Sequence, residues 1–127
     1  MRKAQGAEWR GLTFGALVSR EILDNPLDNE TPQSRVKQIG MMVVLHHLHL
    51  SNQRLTLTNI SEFTGLTRGG VTETIDQLIR RKILTETLTT NSMGRGRARE
   101  FNIARGIFER LRNLKADGGV HCSSGPA

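Results

Sequence analysis

The segment from Leu57 to Ile103 constrains the fold more than any other part of the chain. Two apolar stripes at helical spacing meet at a glycine and then give way to alternating segments of β-favouring residues. Ile60, Phe63 and Leu66 lie before and around Gly65, while Val71, Ile75, Leu78 and Ile79 follow at i, i+4, i+7 and i+8. Gly65 suits the left-handed position that closes a helix, where a Cβ is penalised. Thr67 has the hydroxyl of an N-cap for the helix that follows. Leu84 to Thr90 and Ala98 to Ile103 then alternate around a tip rich in glycine and arginine, which predicts a two-stranded hairpin.

The flanks read as helices. Residues 8–24 place Trp9, Leu12, Ala16, Leu17, Val18 and Ile22 at helical spacings, and Asn25-Pro-Leu-Asp-Asn-Glu30 breaks the pattern. Thr31-Pro32 restarts it, since proline at a first helical position loses no hydrogen bond. The helix to about Leu50 is apolar on most sides (Val36, Ile39, Met42, Val43, Leu45, Leu48), which predicts burial between other elements. Arg54 to Leu57 reads as a short extended piece, with Thr58 or Asn59 capping a brief helix that ends at Gly65. A last helix from Arg105 to about Lys115 carries Ile107, Phe108, Leu111 and Leu114 on one face. From Asp117 onward there is little to bury, so disorder is expected.

The expected fold is therefore mainly α with a small β-hairpin (α+β): a winged helix-turn-helix with flanking N- and C-terminal helices. Its parts would be supporting and dimerising helices over 1–53, a core over 54–104, a C-terminal helix over 105–116 and a disordered tail over 117–127. A chain of 127 residues has the length of one domain.

Charge points to the partner. The net charge is +6 with a pI near 10.7, which favours a polyanion. Residues 95–127 hold seven Lys/Arg against three Asp/Glu, and all seven fall between Arg95 and Lys115. With the apolar stripe turned inward, the second helix of the pair presents Thr67, Arg68, Gly69, Thr72, Glu73 and Asp76 at its start. Recognition helices read base edges with such N-terminal residues. Arg68 can fork onto guanine, Thr72 can touch a thymine methyl and Glu73 can accept from cytosine. Gly69 and Gly70 cost helix propensity, which makes sense where backbone must lie close to DNA. Arg95, Arg97 and Arg99 alternate at the hairpin tip, and guanidinium suits phosphates and narrow minor grooves. These residues, with Thr58 on the preceding helix, make up the expected DNA-binding set.

From about Leu55 to Ala104 the chain resembles the winged helix-turn-helix of MarR-type transcription regulators. The resemblance is carried by Ile60-Ser-Glu-Phe63 and by Leu66-Thr-Arg-Gly-Gly-Val-Thr-Glu-Thr-Ile-Asp-Gln-Leu-Ile-Arg-Arg-Lys-Ile-Leu84. It implies a homodimer whose recognition helices enter successive major grooves of double-stranded DNA, with Arg97 in the flanking minor groove. The expected function is a cytoplasmic repressor acting at an inverted repeat. The sequence departs from that pattern at Arg95, where an Asp would brace the arginine, and at Lys82, where a Gly would follow the recognition helix. The family dimerises through long terminal helices; here residues 8–24 and 105–115 would have to form the interface. A small aromatic effector is possible in relatives of this fold, but no residues here identify a pocket for one. Two alternatives remain: a winged helix serving as a protein-interaction module (antiactivator or assembly adaptor), and a plasmid replication or partition factor.

Other chemistries find no constellation. His46 and His49 share a helix face, yet no acidic or thiol ligand lies nearby in sequence, so no metal site is expected and the histidines read as a partly exposed helix end. The single cysteine, Cys122, cannot form a disulfide within one chain, which suits a reducing compartment. No phosphate loop, catalytic carboxylate pair or activated nucleophile is present, so neither enzymatic activity nor a cofactor is expected. No apolar run approaches the length of a membrane span.

Overall fold

The computed structural model describes the backbone over residues 2–90 and 97–116, and the side chains over 13–88 and 98–113. Five helices and one antiparallel pair of strands follow in the order α1 (Arg2–Asp24), α2 (Pro32–Leu50), α3 (Leu57–Thr64), α4 (Arg68–Arg80), β1 (Leu84–Thr90), β2 (Arg97–Ile103) and α5 (Arg105–Ala116). The fold is thus mainly helical with a small sheet. The expected tail over 117–127 lies outside the described residues, as do the side chains of Trp9 and Leu12.

Local signals set most of the boundaries. The Thr31 hydroxyl accepts from the Ser34 N–H at 3.0 Å, with Pro32 opening α2. The cap of α3 is Thr56, not Thr58 or Asn59: its hydroxyl accepts from the Asn59 N–H at 3.1 Å. The segment before it is drawn into the sheet, which fixes the start of the helix. Phe101 N–H donates to Leu55 O at 2.8 Å, and Thr56 bridges Glu100. Gly65 closes α3 in the left-handed region at φ 78, and Thr67 caps α4.

One core joins every element except the hairpin's outer half. Phe14, Val18 and Ile22 of α1 meet Met41, Met42, Leu45 and Leu48 of α2, with Leu55, Ile60, Val71, Ile75 and Leu78 beneath. Leu84, Phe101, Ile103 and Ile107 close it from the sheet and α5. The strands pair in the register Leu84↔Ile103, Glu86↔Phe101 and Leu88↔Arg99. Leu84, Phe101 and Ile103 therefore share the face that turns to the core.

Three further sequence expectations change. α2 is not buried all round, since Val36 and Val43 are exposed while Gln38 and His46 are buried. Phe63 and Leu66, expected to lock the turn, are each about half exposed, and Ile60, Val71 and Ile75 do the locking. His46 is no exposed helix end: its ring stacks on Phe14 with centroids 3.8 Å apart.

A buried polar hub fastens α4 to the helices above it. Arg81, just past α4, pairs with Glu30, and both side chains are almost fully removed from solvent. Gln38 completes the hub, accepting from Arg81 Nε and donating to Glu30 Oε2, both at 2.8 Å. Arg81 Nη1 also donates to the Asn25 carbonyl at 2.7 Å. Burying a charge pair is favourable only with such saturation of its hydrogen bonds. Burial alone would raise the Glu30 carboxyl, but hydrogen bonds from Gln38, the Leu27 N–H and Arg81 outweigh it and hold its pKa below the usual value.

Candidate nucleic-acid interface

The start of α4 is the most open part of the helical pair. Thr67 Oγ1 accepts from the Gly70 N–H at 3.0 Å, tying up the hydroxyl in a cap. Arg68, Gly69, Gly70 and Glu73 are exposed, and Thr72 is half-buried. The two glycines differ in cause. A Cβ on Gly70 would come 3.3 Å from the capping Thr67 hydroxyl, whereas one on Gly69 would meet nothing within 4 Å. Gly70 thus has a reason inside the fold, and Gly69 leaves bare backbone facing solvent.

Arg68 also reaches across the turn, donating from Nη1 to Thr58 Oγ1 at 3.2 Å. That contact brings Thr58 of α3 and Arg68 of α4 together at the mouth of the turn. It is exposed and leaves the remaining guanidinium donors of Arg68 free. Among the described residues Arg68 has no carboxylate partner, and Glu73, one turn on, has no ion pair.

The hairpin is attached to α4 by Arg99. Its Nη2 donates to Asp76 Oδ1 at 2.8 Å and its Nε to Glu86 Oε2 at 2.6 Å. Its guanidinium carbon lies 5.2 Å from the centroid of Phe101. The carboxylates of Glu86 and then Asp76 raise the guanidinium pKa further. One side chain therefore links α4, the first strand and the second strand, with an aromatic ring as its floor. Asp76, an acid on the expected DNA face, is neutralised in the process. On the other face of the sheet Arg54 pairs with Glu100 at 2.6 Å, which lowers the Glu100 carboxyl and raises Arg54.

The expected tip residues are placed unequally. Arg99 is held by carboxylates, so it acts as a brace for the hairpin. Arg97 begins β2 opposite Thr90, with its side chain outside the described residues, and Arg95 lies outside them altogether. The sequence does not reveal the partners of Arg99, because they come from the separated positions 76, 86 and 101. Alternation alone offered one clue: Arg99 shares the parity of Phe101 and Ile103, the core-facing positions of its strand.

The basic excess is partly spent on internal pairs. Arg110 bonds Glu21 of α1, beside the Arg99 pairings. Exposed cations without an ion pair among the described residues include Arg68, Arg80, Lys82, Arg105 and Arg112, at both ends of α4 and on α5. No cluster of three or more His, Cys, Asp or Glu side chains that could hold a metal occurs among the described residues. No described helix is long and apolar enough to cross a membrane. Comparison with known proteins finds no matching family model, no matching curated relative and no matching solved structure.

Proposed function

We propose that this chain is a sequence-specific, double-stranded DNA-binding regulator built as a winged helix-turn-helix, resembling MarR-type repressors in plan and acting as a homodimer on an inverted repeat. The observation that carries the reading is the start of α4. It joins a capped, exposed helix N-terminus to an arginine with no ion pair among the described residues and to a bare glycine, with the hairpin braced alongside. In this arrangement Arg68, Thr72 and Glu73 read base edges, while the Thr67–Gly70 backbone approaches the phosphates. Arg95 and Arg97 supply the grip of the wing, and Arg99 holds the wing to α4.

Fluorescence anisotropy on a labelled duplex from upstream of the chain's own gene tests this reading. Binding should be tighter than to a scrambled duplex and should weaken steeply with salt. Arg68→Ala should cost about 1–3 kcal/mol and erase part of the sequence preference. Arg97→Ala should weaken both duplexes alike and reduce the salt slope by about one unit. Equal affinity for the two duplexes would remove the claim of specificity, and no binding at low salt would remove the DNA reading.

A second reading is favoured by one observation. Phe63 and Leu66 are half exposed beside the turn, and Glu73 is exposed with no ion pair among the described residues, a mixture that also suits docking on another protein. Absence of duplex binding together with a stable protein partner would select it.

A further inference from the structure

Seven large apolar side chains are exposed among the described residues, and four of them share one surface. Val36, Val43 and Leu50 follow at seven-residue intervals on α2 and are 62%, 47% and 58% exposed. Gly40 and His47, also exposed, fill the positions between them. The fourth, Phe63 of α3, lies against the His47 ring at 5.1 Å. The stripe is opposite the face that buries Gln38, Met41, Met42, Leu45 and Leu48. It contains no Asp, Glu, Lys or Arg and runs for about 21 Å along the helix. A contiguous apolar patch of this kind marks an interaction surface.

Among the described residues, the terminal helices have less to offer a partner. Phe14, Val18 and Ile22 of α1 and Ile107 of α5 are buried within the subunit, and Leu17, Phe108 and Leu111 pack against the same core. Among their described large apolar side chains only Leu23, at the end of α1, is exposed.

We propose that a second copy of this chain docks on the outer face of α2, antiparallel to it across a two-fold axis near Val43. Three features select this occupant. The stripe is self-complementary about Val43, so that Val36 of one copy meets Leu50 of the partner subunit, as an isologous contact demands. The charges at its ends also match: Lys37 stands near the start of α2, and Glu62 precedes Phe63 at the other end. Neither has an ion pair among the described residues, and antiparallel docking joins them twice while opposing the two helix dipoles. Finally, a Cβ on Gly40 would meet nothing within 4 Å inside the subunit. A closely crossing helix supplies the cause that the isolated subunit lacks.

The proposal deepens the homodimer part of the functional reading, but its test contains no DNA, so the two can fail separately. Sedimentation equilibrium on the full chain should show a dimer, and Val43→Arg should raise the dissociation constant about 100-fold or more, roughly 2.7 kcal/mol. Because Val43 is exposed, the thermal melt of the monomeric variant should keep its cooperative shape. Lys37→Glu and Glu62→Lys should each weaken the dimer, and the double variant should recover most of the loss. With Cys122→Ser removing the single native thiol, Val43→Cys should cross-link two copies on oxidation. A wild-type chain that stays monomeric at about 100 µM would overturn the proposal. So would a dimer that Val43→Arg leaves intact, or a charge reversal without rescue.

Discussion

Lys82 occupies a backbone position that suits glycine. Its φ is 68, in the left-handed region, directly after the cap of α4. There its N–H donates to Ile79 O at 2.9 Å, and the next N–H, of Ile83, donates to Leu78 O at 3.3 Å. These are the two bonds that close a helix through a left-handed residue. A Cβ in that region costs about 1–2 kcal/mol, and glycine's greater freedom in the unfolded chain returns about 0.5–1 of it. Lys82→Gly should therefore stabilise the protein by up to about 1 kcal/mol, seen as a higher urea midpoint. Lys82→Val should destabilise it. A lower midpoint for the glycine variant would show that the lysine side chain contributes more than its backbone loses. The same residue shows what is legible one position at a time: the family-like pattern calls for a glycine here, and this backbone conformation is the physical reason. Thr31, Gly65 and Thr67 are legible in the same way, because caps act on neighbours within three residues. His46, Phe63 and Arg99 are not. Their environments come from α1, from α2 and from three separated carboxylate and aromatic positions, and no window of sequence contains those partners.

At the scale of elements, the hairpin is held to α4 from one side by Arg99 and to the segment before α3 by Arg54 and Glu100. Helix periods and strand alternation reveal that these elements exist; they do not reveal how a half-exposed hairpin is oriented. Ion pairs decide that here, since the outer part of the sheet contributes little to the core: Leu88, opposite Arg99, is 55% exposed. Arg99→Met keeps much of the contact with Phe101 but releases Asp76 and Glu86. Partly exposed pairs contribute modestly, so the loss of global stability should be about 1 kcal/mol or less. The local effect should be larger. Amide hydrogen exchange over 97–101 should accelerate, while that of Val71, Ile75 and Leu78 stays slow. If the proposed function is right, duplex binding weakens without a change in sequence preference, because Asp76 regains a full negative charge beside the DNA and the wing loses its fixed angle. Unchanged exchange in the strand would mean that the sheet register alone orients the hairpin.

The whole molecule ties its stability to two buried ionisable groups that both work against acid. His46 lies between Phe14 and the tilted ring of Phe108, with His49 one turn along its own helix. Burial first, and then the charge of His49, lowers its pKa from the ordinary 6.5. A His whose folded pKa is depressed binds fewer protons folded than unfolded, so its contribution is complete above 6.5 and falls as pH drops toward the folded value. Glu30 is depressed from 4.5 through Gln38, Leu27 and Arg81. Its contribution is present above 4.5 and is lost as pH falls through its folded pKa. Melting temperature should accordingly be flat above pH 6.5, decline in a first step below it and in a second below 4.5. His46→Gln should abolish the first step and leave the second. Arg81→Met should act on the second, shrinking it or reversing its sign, because a buried Glu30 without its guanidinium protonates more readily and its folded pKa rises toward or past the unfolded value. That variant should also lose about 3–5 kcal/mol at neutral pH, the usual result of orphaning one member of a buried pair. A first step that survives His46→Gln would place the titrating group elsewhere. A second step that Arg81→Met leaves at full size would show that Gln38 and the Leu27 N–H hold the carboxylate by themselves. Since Arg81 is also the residue that follows the helix proposed to read DNA, the hub that titrates is the one that sets that helix against α1 and α2.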